Sequence, residues 1–218
     1  LIVNWVGLSP HLFYKEINMS HSSDIQVQFI SDEVAADDNF IVTAARPNTV
    51  ATLANASFAS GGARILSVTT AGTGDNAKTN TIVGTDVFGN AITEVIISTG
   101  SAENVDGAKY FKTVTSITSS AQFAANIIVG SLAQAAQAVF GGRTRLKGFS
   151  IVSGGTAGII EFVDGTPEDG TVLFKARTIG TDNTTLDRTI PADGVLFSSG
   201  LSIKYTVGTI DMMTFFYA

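Results

Sequence analysis

The stretch from Phe140 to Gly165, F-G-G-R-T-R-L-K-G-F-S-I-V-S-G-G-T-A-G-I-I-E-F-V-D-G, consists of two strand-like runs joined by a glycine-rich turn. Side chains of a strand point alternately to its two faces, so a half-buried strand shows a polar and apolar period of two. Arg143, Arg145 and Lys147 keep that period and face outward together. Leu146, Phe149 and Ile151 share the opposite face only if one extra residue is inserted between them, which a bulge at Gly148 supplies. A strand with that device belongs to a built sheet, and the same rhythm continues to the end of the chain.

Composition agrees with many short strands closed by glycine turns. The 218 residues include 22 Gly and only 4 Pro, with 44% hydrophobic and 15% charged residues. Disorder needs the opposite balance, high charge with few apolar groups. The net charge of -6 argues against a surface that tracks phosphates, so no direct nucleic-acid partner is expected. Cysteine is absent, which removes disulfides and thiolate metal sites. No apolar run approaches the roughly 20 residues that span a bilayer as a helix, and no membrane partner is expected.

Residues 1–23 differ in texture from the rest of the chain and hold the sole Trp, Trp5, with His11 and His21. Met19 opens M-S-H-S-S-D, which has the look of a translation start, so residues 1–18 are either upstream sequence read in frame or an N-terminal arm. A first domain is expected over 24–130. Its opening run D-I-Q-V-Q-F-I places Ile25, Val27 and Phe29 on one face of a half-buried strand. Further strands are expected at Phe40–Ala44, Ile65–Thr70, Thr79–Gly84, Ala91–Ser98, Tyr110–Thr118 and Phe123–Val129, and the ambiguous run from Thr49 to Ser60 is read as strand. Asp86 and Gly89-Asn90 mark the clearest hairpin turn.

Residues 131–142 are read as a linker. Within them S-L-A-Q-A-A-Q-A-V, with four Ala and two Gln, is the one place where a helix competes. About seven strands then fit into residues 141–218, with the C-terminal module expected over 143–218, at the turn spacing of sandwiches and jelly rolls. Val172, Phe174 and Ala176 oppose Lys175 and Arg177, while Leu201, Ile203, Tyr205 and Val207 oppose Ser202, Lys204 and Thr206. The terminal D-M-M-T-F-F-Y is apolar on both faces and is expected to be central or covered. The fold class is therefore all-β, two antiparallel sandwiches in tandem. So small a C-terminal module holds only about 3 to 5 kcal/mol in a single core, so it should dock on the N-terminal half or on copies of itself. A homo-oligomer, a trimer, is expected on that ground.

Catalytic and cofactor motifs are weak throughout. Gly72-Thr73-Gly74-Asp75-Asn76-Ala77 imitates a dinucleotide-binding turn, but K-T-N-T-I-V follows where a helix is needed, so it reads as a hairpin loop. Asp86 with Asn90, and Asp164 with Glu168 and Asp169, bear loop oxygens of the kind Ca²⁺ uses, without the spacing of an EF-hand, and read as solvated turn carboxylates. No nucleophile elbow accompanies the two histidines. The expectation is no catalytic residue, no cofactor and no metal. Arg143, Arg145, Lys147 and Phe216 are the candidate subunit-contact residues; the alternative for the three cations is the solvated edge of an exposed strand, and for Phe216 the core.

Two sets of motifs carry a family resemblance. Thr79 to Glu94, T-N-T-I-V-G-T-D-V-F-G-N-A-I-T-E, followed by K-Y-F-K-T-V-T-S-I-T at Lys109 to Thr118, resembles a β-rich domain of tailed-bacteriophage virion proteins. V-F-G-G-R-T-R-L-K-G-F at Val139 to Phe149, G-T-A-G-I-I-E-F-V-D-G, I-P-A-D-G-V-L-F-S-S-G-L and the final F-F-Y-A resemble a small β-sandwich module of phage structural proteins. The resemblance implies a non-enzymatic virion component, either a head decoration or cement protein that meets the major capsid protein, or a tail or fibre adhesive that binds carbohydrate.

Overall fold

The computed structural model describes residues 25–31, 35–58 and 60–218. The N-terminal segment 1–23, with Trp5, His11 and His21, lies outside the described residues. The described chain is antiparallel β throughout, with one short 3₁₀ turn at Thr73–Asp75. Its strands are β1 (Gln26–Ser31), β2 (Asp37–Ala45), β3 (Ala63–Thr70), β4 (Thr79–Thr85), β5 (Ala91–Ile97), β6 (Asn104–Phe111), β7 (Thr113–Ser119) and β8 (Ile127–Phe140). Seven more follow: β9 (Thr144–Ser153), β10 (Ile159–Asp164), β11 (Thr171–Arg177), β12 (Thr184–Thr189), β13 (Val195–Phe197), β14 (Leu201–Thr206) and β15 (Ile210–Tyr217).

These strands form three sheets. The first has the order β1-β15-β9-β12, with β13 also on β9; the second runs β11-β10-β14-β8-β3-β6, with β2 also on β8; the third is β5-β4-β7. One core lies between the first sheet and the β8, β10 and β14 part of the second, and includes Leu146, Phe149, Phe162, Ile203 and Phe215. Another lies between the second sheet and the third, around Leu66, Ile82, Phe111 and Ile117.

The expected linker at 131–142 is a correction. Residues 131–140 complete β8, the longest strand, and no helix forms there. Alanine's helix propensity is worth only tenths of a kcal/mol per residue, and pairing on both edges overrides it. β8 takes β3 and β2 from the N-terminal side and β14 from the C-terminal side. Its Ile127 and Val129 enter one core while Ala135 and Val139 enter the other. The C-terminal strands thus dock on the N-terminal ones through a shared sheet.

Between those two ends β8 is irregular, since Arg64 faces Ala135 but Leu66 faces Ser131. The buried Arg64 fills the gap by donating from Nη1 to the Leu132 carbonyl at 2.9 Å. At Gly148 the expected bulge is present: Phe216 faces Gly148 while Tyr217 faces Leu146, and Leu146, Phe149 and Ile151 are all buried in one core. The run Thr49 to Ser60, read as strand, forms no strand in its described residues, only isolated bridges from Val50 to Thr118 and from Ser57 to Thr113. The expected strand Tyr110–Thr118 is two strands, β6 in the second sheet and β7 in the third, and the chain changes sheets between them.

Candidate functional site

β1 corrects a second expectation. Ile25, Val27 and Phe29 do share a face, but it is the solvent face, with exposures of 59, 57 and 57%. Ile30, on the other side, enters the core. Alternation sorts residues into two faces without saying which one meets the core, and a one-residue shift exchanges them.

The neighbouring strand enlarges this apolar surface. Val27 pairs with Phe216 and Ser31 with Met212, and those two β15 residues are 37 and 43% exposed. The alternate residues of β15, Met213, Phe215 and Tyr217, are buried. β15 is therefore central in its sheet, as its sequence requires, yet one of its two apolar faces stays open. Among the described residues β1 pairs only with β15, so its other edge has backbone donors and acceptors without a strand partner.

The candidate contact residues meet on this side of the molecule. Lys147, Gly148, Ile25 and Phe216 line one recess of about 550 Å³. Lys147 also lines a second recess, again about 550 Å³, with Arg143, Arg145 and Asp193. Lys147 Nζ donates to the Asp193 carbonyl at 2.8 Å, and the backbone of Arg145 pairs with Ala218 in both directions. Arg143, Arg145, Lys147 and Phe216 thus form a continuous margin through Lys147, with the bulge at Gly148 setting Phe216 beside it. The exposed apolar residues Ile25, Val27, Phe29 and Met212 were not among the expected contact residues. The only signal for them was the apolar character of both faces of β15 beside an apolar β1.

The loop carboxylates are engaged with backbone amides. Asp86 accepts from the amides of Phe88 and Asn90 at 2.8 and 2.9 Å and from Asn90 Nδ2 at 3.0 Å, which closes the β4–β5 turn. Asp164 accepts from the Ser199 amide at 2.6 Å. Glu168 accepts from the Tyr110 amide at 2.5 Å. Among the described residues no group of three or more His, Cys, Asp or Glu is placed to hold a metal ion.

The glycine turn at 72–77 also has a structural use. Asp75 is fully buried and accepts from Lys78 Nζ at 2.7 Å and from the amides of Ala124 and Ala125 at 2.6 and 3.1 Å. Burial opposes its ionisation, but the Lys78 hydrogen bond, the two amides and the Lys78 charge together hold the carboxyl below its ordinary range. Lys78 also donates to the Gln122 carbonyl and lies over the Phe123 ring. The loop is tied to the segment entering β8 and is followed by strand.

Among the described residues no helix is long and apolar enough to cross a membrane. No known protein family, curated protein or solved structure matches the chain.

Proposed function

We propose that this chain is a non-enzymatic structural protein of a tailed-phage virion, a head decoration or cement component, that assembles with copies of itself through the outer face of β1 and β15. The observation that carries the reading is the open apolar face of Ile25, Val27, Phe29, Met212 and Phe216 beside an unpaired strand edge. A flat apolar edge strand invites pairing with another chain, and proteins that remain monomeric blunt such edges with charge, proline or a covering element. β1 itself, Gln26–Ser31, contains no Lys, Arg, Asp, Glu or Pro. The resemblance of motifs in both halves of the sequence to tailed-phage virion proteins supports the virion setting, and the second sheet joins strands of both halves.

The small size of the C-terminal part does not require association, because that part already docks on the N-terminal strands. The open face is what association rests on. Light scattering at micromolar concentration is expected to give a mass that is a multiple of the 22.7 kDa chain. Val27→Asp combined with Phe216→Asp should return the monomer with an unchanged circular dichroism spectrum. A monomeric wild type, or an oligomer indifferent to both substitutions, would refute the reading of the face. Cryo-electron microscopy of the parent particle tests its place: density on the capsid surface supports decoration, and density confined to the tail excludes it.

A further inference from the structure

We propose that the gap between β11 and β12 is a binding cleft for a small anionic amphiphile, an alkyl chain ended by a carboxylate. The two strands are the terminal strands of facing sheets, β12 of the first and β11 of the second. The core between those sheets opens to solvent there. Phe149, Phe174, Leu186, Ile190 and Val195 line a cleft of about 460 Å³, and each belongs to that core or packs directly on it. Ligand pockets commonly hold about 300 to 1,000 Å³ and bury an apolar body under a few polar groups.

The floor is aromatic and held in place. Phe174 stacks on Phe162 with ring centroids 4.2 Å apart and also meets Phe149 at 6.3 Å and Phe197 at 6.5 Å. An alkyl chain entering the cleft would cover faces that are now half-exposed without displacing a polar group.

The rim is cationic. Arg188, Arg177 and Lys175 border the cleft, Arg177 and Lys175 from the face of β11 opposite Phe174 and Ala176, and no Asp or Glu lines it. Lys175 is bound to Glu161 at 2.5 Å, whereas among the described residues neither arginine takes part in an ion pair. Period two puts Arg188 on the same side of β12 as Leu186, which packs on the core, so a guanidinium stands on the strand's core-facing side. One of its donors goes to the Asp187 carbonyl at 2.8 Å. A guanidinium has five N–H donors arranged to meet a carboxylate in parallel. Sugars fit this lining poorly, because their hydroxyls seek carboxylate and amide acceptors as well as donors.

The cleft is on the edge of the first sheet opposite β1, but Phe149, Arg188 and Ile190 also line the recess beside Ile25 and Phe216, so the titration is run on wild type and on the Val27→Asp Phe216→Asp variant alike. The test is isothermal titration of the full chain with sodium decanoate and, as an equal-length cation, decylammonium chloride, both below micelle formation. One decanoate per chain is expected, with decylammonium at least tenfold weaker. Arg177→Gln with Arg188→Gln, both exposed positions, should weaken decanoate at least tenfold, and Leu186→Trp should abolish it by filling the cleft. Amide shifts in an NMR titration should centre on Leu186 and Val195. The inference is overturned by absence of saturable decanoate binding, by equal binding of the two amphiphiles, or by full decanoate affinity in the double glutamine variant. Shifts centred away from the cleft would overturn it as well.

Discussion

The backbone amide of Tyr110, on β6, donates to Oε1 of Glu168 at 2.5 Å across 58 positions of sequence. Glu168 belongs to the loop between β10 and β11, so this bond fastens a C-terminal loop to an N-terminal strand beyond the sheet they share. Burial pushes the Glu168 carboxyl above its ordinary range; the Tyr110 amide opposes the shift, and the nearby charges of Asp86 and Asp169 add to it. Burial also pushes the Tyr110 phenol up to about 12, with the charges of Glu168 and Glu161 contributing. The phenol therefore stays neutral over the range in which Glu168 titrates.

The raised carboxyl gives a pH dependence of definite sign. The folded chain holds the Glu168 proton to higher pH than the unfolded chain does. Its contribution to stability is thus fully present below the ordinary carboxylate range and is lost as pH rises through the raised value. Glu168→Gln keeps an oxygen acceptor for Tyr110 and removes the charge. Thermal unfolding followed by circular dichroism should favour the variant over wild type more at pH 7 than at pH 4. The opposite ordering would show that the charge is stabilised by its surroundings.

Asp75 carries the reverse sign. Its depressed carboxyl contributes stability above the ordinary carboxylate range, and that contribution disappears as pH falls through the lowered value. Asp75→Ala leaves Lys78 only the Gln122 carbonyl and removes the acceptor of the Ala124 and Ala125 amides, and losing the acceptor of buried donors costs about 1 to 3 kcal/mol. Asp75→Asn, which retains oxygen acceptance, should cost less. Urea midpoints of the three proteins check the ranking.

Gly148 is constrained by its neighbour on β12. A methyl group there would lie 2.8 Å from the Arg188 carbonyl oxygen, a backbone atom that moves only if β12 moves. Gly148→Ala should cost about 1 to 3 kcal/mol, the range for overpacking. Gly155 has nothing within 4 Å of the same position, and Gly155→Ala is the matched control, expected to change stability little. Equal melting temperatures for the two variants would mean that β12 is not held against β9 at this point.

Arg64 offers a further check on the joint in β8. Its Nη1 satisfies the Leu132 carbonyl that the irregular register frees from the ladder. Arg64→Leu leaves that oxygen buried without this donor and should cost about 1 to 3 kcal/mol. Because β8 belongs to both cores, chemical denaturation of this variant should still show one transition when followed by signals from either end of the chain.

Much of the local structure was legible in the residues themselves. The antiphase runs at Thr144–Ser153 and Thr171–Arg177, the bulge at Gly148 and the turn at Asp86–Asn90 are short-range consequences of side-chain alternation and turn chemistry. The candidate contacts Arg143, Arg145, Lys147 and Phe216 were legible only as residue types on a strand. Their approach through Lys147 depends on β15 lying beside β9 in one register.

What the sequence by itself determined is the all-β character, because period two and glycine punctuation are properties of neighbours along the chain. Tertiary structure decided which face of β1 meets water and that β8 serves both cores. It also decided that Phe174 and Leu186 meet across an open cleft. Those outcomes depend on which strand lies alongside which, and pairing between residues far apart in sequence leaves no periodic mark on either partner.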